Sequence, residues 1–241
     1  MSQSAYQPEQ LLSFRQAAAE LAEFRKNAEI ELEEAATKGD LKTAQYILEQ
    51  ASLKTKAYEE LRDKLGPIGI FLAKYGVEVI NDHTILFVLP KGCSRIDILH
   101  EAQGLVGERD NRNLIYPERL EEWHQEDRFA NSAEASERIC IDGHVKGGDA
   151  KDRATQEKFV AGKGLALPSI EDLSVAFALH WVATGEPLFG RYDQSIGSSY
   201  WVRGAGGSLG FDHDGLSAFR VYVDGGRHNV AVAARVFPES K

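Results

Sequence analysis

Acidic and imidazole side chains gather at two places in this 241-residue chain. Asp142, His144, Asp149 and Asp152 share one polar, glycine-containing loop, and Asp212-His213-Asp214 stand side by side in a turn. Clustered carboxylates hold hard cations, and mixed carboxylate–imidazole sets hold transition metals. The first group lacks the periodic ligand positions of a calcium loop. The second would have to close a site from adjacent residues, with no other cluster at ligand spacing to complete it. Both read better as solvated segments, so no metal and no cofactor is expected. His180 lies in an apolar stretch, where a hydrogen-bonded core histidine is a simpler reading than a general base. Cys93 and Cys140 stand outside any redox or nucleophile motif. Gly204-Ala205-Gly206-Gly207-Ser208-Leu209-Gly210 has the glycines of a phosphate loop, but the third comes one residue late and strands follow it. No nucleophile elbow and no Ser-His-Asp arrangement is recognisable. The sequence therefore predicts no catalytic residues and a chain that is not an enzyme.

A different signal lies in what one segment lacks. Lys, Glu, Gln, Met and Trp together make up 50 of the 241 residues. The 35 residues from Gly204 to Pro238 contain none of them, where the chain average would place about seven. Asp, His, Asn, Arg, Ser, Tyr, Phe, Val and Ala all occur there. The five missing types are those that no codon ending in a pyrimidine encodes. Changing the adenines of an asparagine codon reaches every other type present in the segment and none of those five. Buried strands also disfavour Lys, Glu and Gln. Burial explains less well why turn positions there carry Asp, His, Asn and Arg without any Glu, Gln or Lys.

The elements that must position this segment begin with helices. From Gln7 to Leu65 there is one glycine and one proline. Leu11, Phe14, Ala18, Leu21, Phe24, Ala28, Leu32 and Ala35 recur at helical steps, and Leu41, Ala44, Leu48, Ala51, Tyr58, Leu61 and Leu65 continue the pattern. Pro8 suits a first helical turn, Gly39 a C-terminal cap and Asp40 the next N-cap. Residues 1–65 thus form an antiparallel helical hairpin, ended by Gly66-Pro67. The bland reading is a packed hairpin. The sharper one is a coiled-coil element that makes homo-oligomers through the N-terminal helices.

Residues 66–134 read as mixed α/β. Val77–Ile80 and Thr84–Leu89 form a hairpin over Asn81-Asp82-His83, and helices come next at Ile96–Leu105 and from Pro117. Within 135–241, Ile139-Cys140-Ile141 is a strand and 155–161 a helix. Ser169-Ile170-Glu171-Asp172 opens an apolar helix that ends at Gly185 and belongs at the centre of the core. Strands then come at Ser199–Arg203, Leu216–Asp224 and Val230–Phe237, in a small, bent, antiparallel sheet. The fold class is α+β.

Charge narrows the partners. The chain has 28 basic and 37 acidic side chains, net −9. Residues 195–241 carry net +1, so the acidity belongs to the first 194. An acidic chain is ill suited to displace counterions from phosphates, which argues against nucleic acid. No apolar run approaches the roughly 20 residues of a spanning helix. Met1-Ser2-Gln3-Ser4 lacks the start of a signal peptide, and the expected place at synthesis is the cytoplasm.

Three short motifs carry a resemblance. They are Leu167-Pro168-Ser169-Ile170-Glu171-Asp172-Leu173, Tyr200-Trp201-Val202-Arg203-Gly204 and Val232-Ala233-Ala234-Arg235-Val236. With them, residues 135–241 resemble the C-type-lectin-fold proteins related to formylglycine-generating enzyme. More narrowly, they resemble the variable proteins of diversity-generating retroelements, in which adenine-directed errors of a reverse transcriptase rewrite a C-terminal segment. The catalytic cysteine pair of the enzymes is not matched in the last section, and the Glu-Pro-Asn and Trp-Asn-Asp triplets of calcium-dependent lectins are absent. The resemblance implies a ligand-display domain that binds a protein or surface ligand. It implies ligand-contacting or variable positions at Asp212, His213, Asp214, Ser217, Phe219, Tyr222, Asp224, Arg227, His228 and Asn229. Strand alternation would turn about half of them inward, Phe219 foremost. Trp181, Trp201 and Arg203 fall to the scaffold. A lectin-fold enzyme and a phage-derived assembly protein are the alternative readings.

Overall fold

Alanine and leucine at helical spacing, broken once by a glycine and an acidic cap, should give two helices that fold back on each other. The computed structural model has that pair. It describes residues 8–110, 113–148, 153–186, 188, 200–205, 207–211, 216–219 and 230–236. The chain divides into two units, Tyr6–Lys74 and Tyr75–Lys241.

In the first unit, α1 (Pro8–Lys38) and α2 (Leu41–Lys74) pack side by side. The link is local chemistry. The Asp40 amide donates to Ala35 O at 2.9 Å and the Gly39 amide to Ala36 O at 3.2 Å, which closes the end of α1. Asp40 then caps α2, accepting from the Thr43 amide at 3.1 Å and its hydroxyl at 2.7 Å. Those bonds hold the Asp40 carboxyl below its ordinary range. Phe14 stacks on Tyr58 with ring centroids 5.1 Å apart, and Lys54 lies over the Phe24 ring at 5.5 Å. Gly66-Pro67 breaks α2 without ending it. Gly66 takes φ 64° and ψ −178°, and helix resumes to Lys74. Glycine adopts that φ without a Cβ penalty, and proline needs no N–H in the first turn of the resumed helix.

Among the described residues the second unit holds two four-stranded sheets. The first has the order β1 (Glu78–Asn81), β2 (Thr84–Leu89), β3 (Glu137–Asp142), β8 (Ala234–Val236), and its three pairings are antiparallel. It therefore joins strands from both sides of the expected division at residue 134. The second has the order β6 (Leu216–Phe219), β5 (Gly207–Phe211), β4 (Tyr200–Gly204), β7 (Val230–Val232). Here β4 and β7 run parallel, and the other pairs are antiparallel. Two sequence readings change. The glycine-rich run beyond Gly206 is a strand, because pairing on both sides overrides the weak propensity of glycine. The stretch from Val230 is two strands, divided at the fully buried Ala233, with one in each sheet.

Between β2 and β3 come α3 (Arg95–Asp110), α4 (Pro117–His124) and α5 (Asp127–Ala130), and α6 (Arg153–Gly162) comes after β3. Trp123 stacks on Phe129 with centroids 4.7 Å apart. The centre is α7 (Ile170–Thr184), which contacts α3, β2, β3, β4 and β5. Every residue from Ile170 to His180 is buried, the polar Glu171, Asp172, Ser174 and His180 included, as a helix apolar on nearly every side at the centre of a core requires. Ser169 Oγ accepts from the Asp172 amide at 3.1 Å, and Gly185 closes the far end with its amide on Trp181 O at 2.7 Å. Among the described residues no helix is long and apolar enough to cross a membrane.

Candidate functional site

The segment without Lys, Glu, Gln, Met and Trp starts at Gly204, and the structure gives that glycine a mechanical reason. The Ala205 amide donates to Pro168 O at 2.6 Å, binding the end of β4 to the start of α7. A Cβ on Gly204 would stand 2.8 Å from the same oxygen. Glycine is needed there for close backbone approach, which removes the reason to read the run as a phosphate loop.

From this anchor the chain runs through β5 and β6. Leu209 is fully buried and registers with Val202 on one side and Ala218 on the other. Of the expected ligand-contacting positions, Ser217 and Phe219 lie in β6, registered with Gly210 and Ser208. Asp212, His213, Asp214, Tyr222, Asp224, Arg227, His228 and Asn229 lie outside the described residues. The far anchor is β7–β8, where Val232, Ala233 and Ala234 are all buried. The Val145 amide donates to Val232 O at 2.9 Å and the Arg235 amide to Ala166 O at 2.7 Å.

An ionic network, unforeseen in the sequence, ties the far anchor at β8, with α3 and β3, to α7. Asp172 accepts from Arg95 Nε at 2.7 Å through Oδ1 and lies 3.9 Å from Arg235 Nη1 through Oδ2. Arg235 Nη2 also bonds Glu137 Oε1 on β3. Beside it, Arg128 Nε bridges Glu126 at 2.6 Å and Glu171 at 3.1 Å. Asp172 was legible as a capping carboxylate, but its side chain serves the two arginines. The available signal was two adjacent carboxylates, Glu171 and Asp172, at the head of an apolar helix. Acids there must be paired to be buried.

The other chemical candidates separate. Asp142 Oδ1 accepts from the His144 amide at 2.9 Å, a turn bond, while Asp149 and Asp152 lie outside the described residues. Among the described residues no three His, Cys, Asp or Glu side chains converge as metal ligands. His180 is a core residue. Its Nδ1 donates to Glu186 O at 2.9 Å, and its buried Nε2 has no hydrogen-bond partner among the described residues. Burial pushes its pKa below the ordinary histidine value. Cys93 and Cys140 are not joined in a disulfide. Cys140 is buried on β3, which raises its pKa and leaves it a poor nucleophile. Cys93 Sγ lies 3.9 Å from the Tyr75 hydroxyl, which donates to Glu101 at 2.9 Å. Burial and that carboxylate raise the phenol's pKa.

No protein-family model, curated protein or solved structure matches the chain.

Proposed function

We propose that the chain is a non-enzymatic ligand-binding display protein, with a segment at about 204–238 diversified by a retroelement on a C-type-lectin-like scaffold. The observation that carries this reading is the 35-residue absence of five residue types, a boundary drawn by the genetic code as much as by burial. The anchors at Pro168–Ala205 and at Val232–Arg235 support it, because they fix both ends of the segment by backbone bonds. Such bonds tolerate side-chain replacement between them. The Asp, His, Asn, Tyr and Arg of the segment suit an adaptable recognition surface. The partner is a protein or surface ligand and not nucleic acid. Homo-oligomers form through the N-terminal helices and array several surfaces, which raises avidity.

The test is genomic. The locus should hold a near-identical copy of the segment's coding sequence, differing at adenines, beside a reverse-transcriptase gene. Sister strains should differ only within the segment. A locus with neither element overturns the proposal.

A further inference from the structure

Seven large apolar side chains stand exposed among the described residues, and six of them belong to the α1–α2 hairpin. Five of those six fall between Ile30 and Leu53, around its closed end, with Leu41 81% exposed. The hairpin also leaves its own stripe unfinished, since Phe24, Leu32, Tyr58 and Leu61 remain only half-buried. Two helices with alanine-rich seams cannot cover what four can.

The covering partner is selected by charge. α1 carries seven acidic and four basic side chains, net −3, while α2 carries six basic and four acidic, net +2. Two α1 helices side by side repel, and α1 beside α2 attracts. A second copy related by a two-fold axis satisfies both helices at once. Each α1 meets the other copy's α2, the contact is self-complementary, and the assembly closes. We infer that the hairpin docks on a second copy of itself as an antiparallel four-helix bundle, α1 against the other copy's α2, through the apolar residues of the closed end. The inference rests on the homo-oligomer reading above and adds the partner surface and the pairing rule.

The test measures the mass of the full chain in solution at micromolar concentration by light scattering and sedimentation. The intact chain should have the mass of a dimer. Leu48→Lys/Leu53→Lys should be monomeric with unchanged far-ultraviolet circular dichroism, because both leucines are exposed and the hairpin does not need them to fold. Glu29→Lys/Glu33→Lys should weaken self-association by at least about tenfold, and so should Lys42→Glu/Lys56→Glu. An equimolar mixture of the last two should restore a heterodimer, since each then offers the charge the other lacks. An intact chain that is monomeric throughout overturns both the inference and the homo-oligomer reading. A dimer indifferent to charge reversal, or a larger assembly, overturns the pairing rule alone.

Discussion

Replacing Asp172 by alanine removes a carboxylate shared by α3, α7 and β8. Its side chain is 5% exposed, and its partners Arg95 and Arg235 are 20% and 27% exposed. Breaking a fully buried pair costs roughly 3–5 kcal/mol, most of it from the charge left behind. The arginines keep some water, so the expected loss is about 2–4 kcal/mol. The helix start also loses a favourable charge, worth about 0.3–1 kcal/mol. Urea unfolding followed by tryptophan fluorescence reads the right part of the molecule, because Trp123, Trp181 and Trp201 all lie within Tyr75–Lys241. The midpoint should fall with the slope unchanged. A cycle with Arg95→Leu, Asp172→Leu and the double variant should give a coupling energy of about 1–3 kcal/mol. A loss below about 0.5 kcal/mol for Asp172→Ala, with additive single variants, would refute the network as a structural tie.

Three more outcomes come from the geometry. Gly204→Ala drives a Cβ to 2.8 Å from Pro168 O, so it should cost about 1–3 kcal/mol and speed hydrogen exchange at the Ala205 amide; full protection in the variant would contradict the close approach. His180 is held neutral by burial, with its folded pKa below the unfolded value of 6.5. Above pH 6.5 both states are neutral and nothing is at stake. Below it the unfolded chain takes the proton first, so stability falls as pH falls, and His180→Gln should flatten that slope between pH 6.5 and 5. An unchanged slope would place the titration elsewhere. Gly66→Ala forces a Cβ residue to φ 64°, and about 1 kcal/mol of stability should be lost with the helical signal of 67–74; a variant as stable as the parent would show that the break relaxes freely.

What the sequence disclosed was local. The Gly39 and Asp40 caps, the Ser169 start and the Gly185 end are decided within five residues, so spacing alone locates them. Gly66-Pro67 was legible as a break but not as a pause, because resumption depends on the apolar residues after the proline finding a place to pack. Leu72 and Ala73 do so, and both are buried. Pairing was not legible. Arg95 meets Asp172 across 77 residues and Arg235 meets Glu137 across 98. No periodicity encodes such distances. The join of β1–β2 to β3 and β8, the parallel turn of β7 against β4 and the split at Ala233 are all of that kind. The segment from Gly204 was found by composition, which carries no geometry. It marked where the stretch without those five residue types begins, without foreseeing that the Ala205 amide is held by Pro168 O.

The crossing at Ala233 bears on how this unit assembles. β3 is translated early, yet its second neighbour β8 arrives about ninety residues later, and β4 likewise waits for β7. Until seven consecutive residues, 230–236, leave the ribosome, both sheets keep a bare edge. When those residues arrive, one short piece of chain latches both sheets together. The two sheets therefore form and come apart cooperatively. Amides of Cys140 and of Val202 should exchange with deuterium in the same opening event, although they sit in different sheets.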